Sequence, residues 1–174
     1  MARAQLSPAA WIDAGLERLS AEGPAALRAE PLSRHLKTSK GSFYWHFKDV
    51  PAFQMAVLDR WQTEAMNALA TDAATSGSST DQLIRFAQTV QSDATGPALR
   101  AWAQTDTSVA DALKKVDQAR IDRLQELLRA IGLRNEDFAR AAFGTLVGLQ
   151  QTHIDDGDAL VAYGALIDVI IAST

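Results

Sequence analysis

The 174-residue chain contains no cysteine, which excludes disulfides and thiolate-held metals and suits a reducing compartment. Its three histidines, His35, His46 and His153, stand too far apart for a helical metal pair. Long apolar runs are missing as well: the longest, Ala159 to Ala172, spans 14 residues and carries Asp168, against the roughly 20 that a membrane-spanning helix needs. Near the N-terminus, Asp13, Glu17 and Arg18 interrupt Trp11, Ile12 and Leu16, so no continuous export signal forms. The expectation is a cytoplasmic protein with no membrane partner. There is no glycine-rich phosphate loop and no paired acid/base constellation, so neither catalytic residue, cofactor nor metal is expected. Asp155-Asp156-Gly157-Asp158 lacks the alternating ligands and closing Glu of a calcium loop and reads as a helix-helix turn.

What charge there is lies unevenly. The net charge is −4, which on its face argues against a nucleic-acid partner. Residues 1 to 60 nevertheless carry +2, and residues 61 to 174 carry −6. Between Arg28 and Lys48 the basic residues Arg28, Arg34, Lys37, Lys40 and Lys48 face the single acid Glu30. Such a patch either faces phosphates or is simply solvated.

Helical periodicity runs through almost the whole chain, and strand alternation and internal repeats are lacking. Ser7 and Pro8 open a first helix that should end near Gly23-Pro24. A second, short helix is predicted from Pro31 to about Lys37, and a third after Thr38-Ser39, with Phe43 and Phe47 on its inner face. Asp49 should cap a fourth, carrying Phe53, Val57 and Trp61 to about Ala70. Thr71 to Thr80 has no apolar period and reads as a loop. Beyond it, helices are expected from Asp81, from Gly96-Pro97, from Val109 to Gly132 with a break in pattern at Arg120, from Asn135 to about Ile154, and from Asp158 to about Ala172. The class is all-α with about nine helices.

Residues 30 to 47 carry the strongest functional signal. Two short helices joined by a tight turn can brace each other so that the second enters the major groove. With Phe43 and Phe47 inward, Lys40, Ser42, Tyr44, Trp45 and His46 are left partly outward. Large aromatics gain little on a surface without a partner, so a binding surface explains the choice better than a bare one.

These residues resemble the TetR family of transcriptional regulators. The match lies in Gly23-Pro24-Ala25-Ala26-Leu27-Arg28, in Leu32 and Leu36, and above all in Thr38-Ser39-Lys40-Gly41-Ser42-Phe43-Tyr44-Trp45-His46-Phe47-Lys48-Asp49, and it covers about residues 7 to 60. The resemblance implies a DNA-binding domain over residues 1 to 49, with its helix-turn-helix at about 28 to 47, and a helical ligand-binding and dimerisation domain over residues 50 to 174. It places Lys40, Gly41, Ser42 and Tyr44 at the groove-facing start of the recognition helix, and makes Tyr44, His46 and Lys48 phosphate contacts and Trp45 a base or sugar contact. Arg28, Thr38 and Ser39 complete the expected DNA-binding set. Two positions depart from the family: Lys37 stands in the turn where Gly is usual, and Ala29 where a capping hydroxyl is common.

A recognition helix of two turns reads only a few base pairs, so a homodimer on double-stranded operator DNA is expected. Apolar stripes of Phe138, Ala142, Leu146 and Leu149, and of Leu160, Tyr163, Ile167 and Ile170, are the expected interface. Gly144 and Gly148 would allow close helix approach there, or accommodate a neighbour within the chain. The resemblance further implies a small hydrophobic effector, with Trp61, Phe86, Trp102, Phe143 and Gln150 as expected pocket residues. The reading is a non-enzymatic regulator, a repressor released by its effector; the alternative is a helical interaction protein that keeps the fold without binding DNA.

Overall fold

Helix boundaries in the computed structural model, which describes residues 6–152 and 155–172 with only the backbone at Asp156, follow from local capping chemistry. The Ser7 hydroxyl accepts from the Ala10 N–H to start α1 (Pro8–Glu22), and Gly23 ends it at a φ of 77° that other residues resist. A short 3-10 turn, Pro24–Ala26, leads to α2 (Ala29–His35). Ser39 caps α3 (Lys40–His46), and Asp49 caps α4 (Val50–Ala74) by accepting from the Ala52 N–H at 2.8 Å. A reciprocal Ser78 and Asp81 pair opens α5 (Ser79–Gln91). Then come α6 (Gly96–Ala103), α7 (Thr107–Ala130), α8 (Glu136–Gln151), capped by Asn135, and α9 (Asp156–Ala172). Among the described residues there are nine α-helices and no strand, as the all-α reading required.

Several boundaries differ from expectation, among them α7, which runs Thr107–Ala130 rather than Val109 to Gly132. Helix α2 starts at Ala29 rather than Pro31, because extended Arg28 is the N-cap and Pro31 then falls in the first turn, where no N–H has an intrahelical partner. The loop expected over Thr71 to Thr80 shrinks to the residues after Ala74. The Thr71 hydroxyl donates to the Asn67 carbonyl and the Thr75 hydroxyl to the Thr71 carbonyl, so these residues bond back into the helix they were expected to break. Finally, α9 begins at Asp156, with Gly157 inside its first turn and the Ala159 N–H donating to the Asp155 carbonyl. Helix α8 ends at Gln151; His153 and Ile154, where its end was expected, lie outside the described residues.

By compactness the chain divides into two units. One unit comprises the chain up to Glu64 with Thr95–Leu113, the other Ala65–Ala94 with Lys114 onward. The first is built on Trp11, Leu19, Leu27, Leu32, Phe43, Phe53 and Val57, all 0% exposed. Within it, Gly15 lets α1 and α4 approach so closely that a Cβ there would lie 2.8 Å from the Phe53 and Val57 side chains.

The second unit buries Leu83, Phe86, Leu124, Leu128, Ala142, Phe143 and Leu146 with Tyr163 and Ile167 of α9. Two ionic clusters cross its core. Arg120, the break in the α7 pattern, is buried because its guanidinium sits 2.8 Å from the Asp93 carboxylate. Arg123 reaches buried Asp72 at 3.3 Å and the Gln82 side chain at 2.9 Å, and Arg85 lies 3.9 Å from Asp72. Charges this deep persist only when paired.

Candidate nucleic-acid interface

The turn between α2 and α3 is a complete Schellman closure. The Thr38 N–H donates to the Ser33 carbonyl at 2.8 Å and the Lys37 N–H to the Arg34 carbonyl at 3.2 Å. The residue between them must turn left-handed, and Lys37 does so at φ 52°, the one non-glycine with positive φ among the described residues. The departure noted at this position therefore leaves the turn intact and places mild strain in it.

Phe43 fixes α3 from below. It is fully buried, with its ring 5.4 Å from Trp11 and Phe47 and 5.2 Å from Phe53, mostly edge to face. Phe47 is 8% exposed and packs on Phe53 at 4.9 Å. With those rings inward, helical geometry turns the intervening residues out: Tyr44 is 53% and Trp45 76% exposed. Lys40 and Gly41 are exposed, Ser42 and His46 half-buried.

The other expected residues have defined surroundings. The Ser39 hydroxyl is occupied as the cap, accepting from the Ser42 N–H at 3.3 Å. A Cβ on Gly41 would meet only the Ser39 hydroxyl, at 3.6 Å, so packing inside the chain does not demand glycine there. The Nε2 edge of His46 is buried without a hydrogen-bond partner among the described residues. Thr38 is half-buried, while Arg28 and Lys48 are exposed and make no ion pair among the described residues.

Glu30, which sequence reading treated only as the exception in a basic run, organises the charge. Its carboxylate lies 2.8 Å from Lys40 Nζ and 3.4 Å from Arg34. The hydrogen bond and charge of Lys40 hold it below the usual carboxylate range. The i, i+4 spacing of Glu30 and Arg34 was readable from the sequence; the bridge to α3 needed the turn.

Of the residues expected around an effector, Trp61 and Trp102 belong to the first compact unit, and Phe86, Phe143 and Gln150 to the second. Four are core residues at 8% exposure or less, and Gln150 donates to the Val90 carbonyl at 2.7 Å. Of the expected dimer stripes, Ala142, Leu146, Tyr163, Ile167 and Ile170 are 5% exposed or less within one chain, because they form the second unit's own core; Phe138, Leu149 and Leu160 are half-buried against it.

No family model matches the chain, and no curated protein does. Solved structures do. A TetR-family transcriptional regulator from Rhodococcus sp. superposes with a TM-score of 0.76 at 21% identity, over 94% of this chain and 98% of that one. A TerR/AcrR-family regulator from Aquifex aeolicus gives 0.74 at 12% identity over the same shares, and a TetR/AcrR-family regulator from Thermobifida fusca gives 0.60 at 16%, over 91% and 94%. The chain has the fold of the TetR/AcrR regulators, an N-terminal helix-turn-helix followed by a helical domain. No described helix is long and apolar enough to cross a membrane.

Proposed function

We propose that this chain is a TetR/AcrR-family transcriptional regulator that binds operator DNA as a homodimer through α3, and that it represses until a small effector releases it. One observation carries the DNA-binding reading: the exposed set of Lys40, Tyr44 and Trp45 on a short helix whose other face is locked down by Phe43. Such a surface matches a groove lined by base edges and phosphates. The bare backbone at Gly41, unexplained by packing, fits close approach to DNA. Functionally, residues 1 to 49 are then the DNA-binding part and residues 50 to 174 the dimerisation and effector part.

Selection of bound duplexes from a random pool, followed by titration of the recovered site, tests this. Lys40→Ala and Tyr44→Ala should each weaken operator binding by about 1 to 3 kcal/mol while leaving the thermal melt unchanged, since both side chains point outward. Normal binding by both folded variants would overturn the groove assignment. A folded wild-type chain that gives no salt-sensitive shift of any duplex would instead be a helical interaction protein.

A further inference from the structure

We infer that Glu30 is a specificity-determining residue that joins Lys40 to read one G·C base pair in the major groove. Lys40 donates to guanine, and Glu30 accepts from the N4 amino group of the paired cytosine. The role rests on DNA binding through α3, as proposed above, and adds what that surface selects. The two groups join separate helices. Glu30 lies in the first turn of α2 and Lys40 is the first residue of α3, and Lys40 Nζ donates to the Glu30 carboxylate at 2.8 Å. Arg34, one turn on, steadies the other carboxylate oxygen at 3.4 Å. The bond and charge of Lys40 keep Glu30 ionised, and a carboxylate carries about four lone-pair positions, so it can still accept.

Nothing in the fold accounts for this bridge. The Glu30 and Lys40 side chains are 60% and 57% exposed, and ion pairs so open to water add little to stability. An acid in the first turn suits the helix dipole but needs no partner on α3. On a surface that meets phosphates, a bare carboxylate repels every duplex alike. It is tolerated there only where the duplex offers it a donor, and the major-groove donors are the amino groups of cytosine and adenine. Gly41, next to Lys40, puts no side chain in the way of close approach.

Spacing and sign choose between the two bases. In a G·C pair, guanine O6 and cytosine N4 are themselves hydrogen-bonded, so they sit roughly 2.9 Å apart. Lys40 Nζ and the carboxylate oxygen are 2.8 Å apart, so acceptor and donor of the base pair meet donor and acceptor of the protein side by side. Guanine N7 lies beside O6 and gives the ammonium a second acceptor, while cytosine has none to repel the carboxylate. In an A·T pair the adenine N7 acceptor stands next to the amino group and repels Glu30, and the thymine methyl crowds Lys40. A reversed C·G pair sets amino against ammonium and O6 against carboxylate, and the pair of side chains rejects it.

The test runs selection from a random duplex pool in parallel with full-length wild type and Glu30→Gln. Wild type should recover G·C at a fixed position of the site, and Glu30→Gln should lose the preference there alone. On duplexes differing only at that position, wild type should prefer G·C to C·G by at least about five-fold, and in Glu30→Gln the ratio should fall to about two-fold or less. Glu30→Asp keeps the charge but, one methylene shorter, cannot hold Lys40 in the same place, and should lose the preference too. All three proteins should melt alike, since the side chain is exposed; if Glu30→Gln fails to fold, Glu30→Asp decides. An unchanged preference in Glu30→Gln, with or without tighter binding to every duplex, would leave Glu30 only a brake on phosphate contact and overturn the role. So would a recovered site without a G·C requirement, or a folded Glu30→Asp that retains the full ratio. In each of those cases wild type still binds DNA and the proposed function stands; a folded wild type that shifts no duplex would overturn both.

Discussion

At the scale of single residues, Lys37 and Trp45 separate what holds the helix-turn-helix together from what it presents. Lys37 occupies φ 52°, a region that costs an L-residue roughly 1 to 2 kcal/mol and glycine almost nothing. Glycine also loses more entropy on folding, so Lys37→Gly should raise stability by about 0.5 to 1 kcal/mol net in urea denaturation. Lys37→Val should lower it, because a β-branched residue tolerates that backbone least. Trp45 is the converse case. At 76% exposure it contributes little to the core, so Trp45→Ala should leave the urea midpoint nearly unchanged while weakening operator DNA binding. Phe43→Ala should cost about 3 to 5 kcal/mol, enough to unfold the small aromatic cluster it centres. Gly15→Ala should destabilise as well, since the new methyl would press on Phe53 and Val57 at 2.8 Å.

At the scale of helices, caps were legible and side-chain bridges between distant parts of the chain were not. Ser7, Ser39, Asp49 and Asn135 were each read from the sequence as starts, and each accepts a first-turn N–H as expected. The Thr71 to Thr80 stretch was misread because composition favours a loop there, whereas the deciding interactions are hydroxyls bonding back along α4 and the buried Asp72 held by Arg123 and Arg85 from residues far along the chain. Arg120 looked like a flaw in an apolar stripe for the same reason, its partner Asp93 lying 27 positions away. Removing that partner should be severe: Asp93→Ala leaves a buried guanidinium short of its counter-charge and should cost about 3 to 5 kcal/mol in urea denaturation. The α5 cap makes a gentler, pH-dependent prediction. The Ser78 hydroxyl and N–H, donating to Asp81, hold its carboxyl below the ordinary aspartate value of 3.8. A depressed carboxylate pKa contributes stability above that value and loses it as pH falls through the lowered one. Asp81→Asn should therefore be less stable than wild type near neutrality, and the difference in denaturation midpoint should shrink below about pH 4.

At the scale of the whole molecule, the proposed homodimer raises the question of which face of α8 and α9 would meet a second copy. Helix α9 is apolar nearly all round, and periodicity alone cannot say which of its apolar faces is core. The stripe of large residues drew the dimer reading, yet Tyr163, Ile167 and Ile170 are consumed by the chain's own core, and smaller residues are left outside. Val161 is 73% exposed, and Ala162, Ala165, Ala141, Gly144 and Gly148 are exposed with it. A Cβ on Gly144 or Gly148 meets nothing within 4 Å, so neither glycine accommodates a neighbour inside the chain. A flat face of small residues is what two helix pairs need to approach closely across a twofold axis, and a twofold axis is what sets two recognition helices about 34 to 36 Å apart on DNA. The discriminating experiment pairs two double variants. Leu146→Glu with Ile167→Glu should unfold the chain, since those positions are 0% and 5% exposed and would bury unpaired carboxylates. Val161→Glu with Ala165→Glu should keep wild-type helicity and melting but run as a monomer by light scattering, because like charges would face each other across the axis. That monomer should lose at least the roughly tenfold or greater affinity that a second half-site provides, while retaining weak, salt-sensitive binding to any duplex. A Val161→Glu, Ala165→Glu variant that remained a dimer with full operator affinity would place the interface on another face of the molecule.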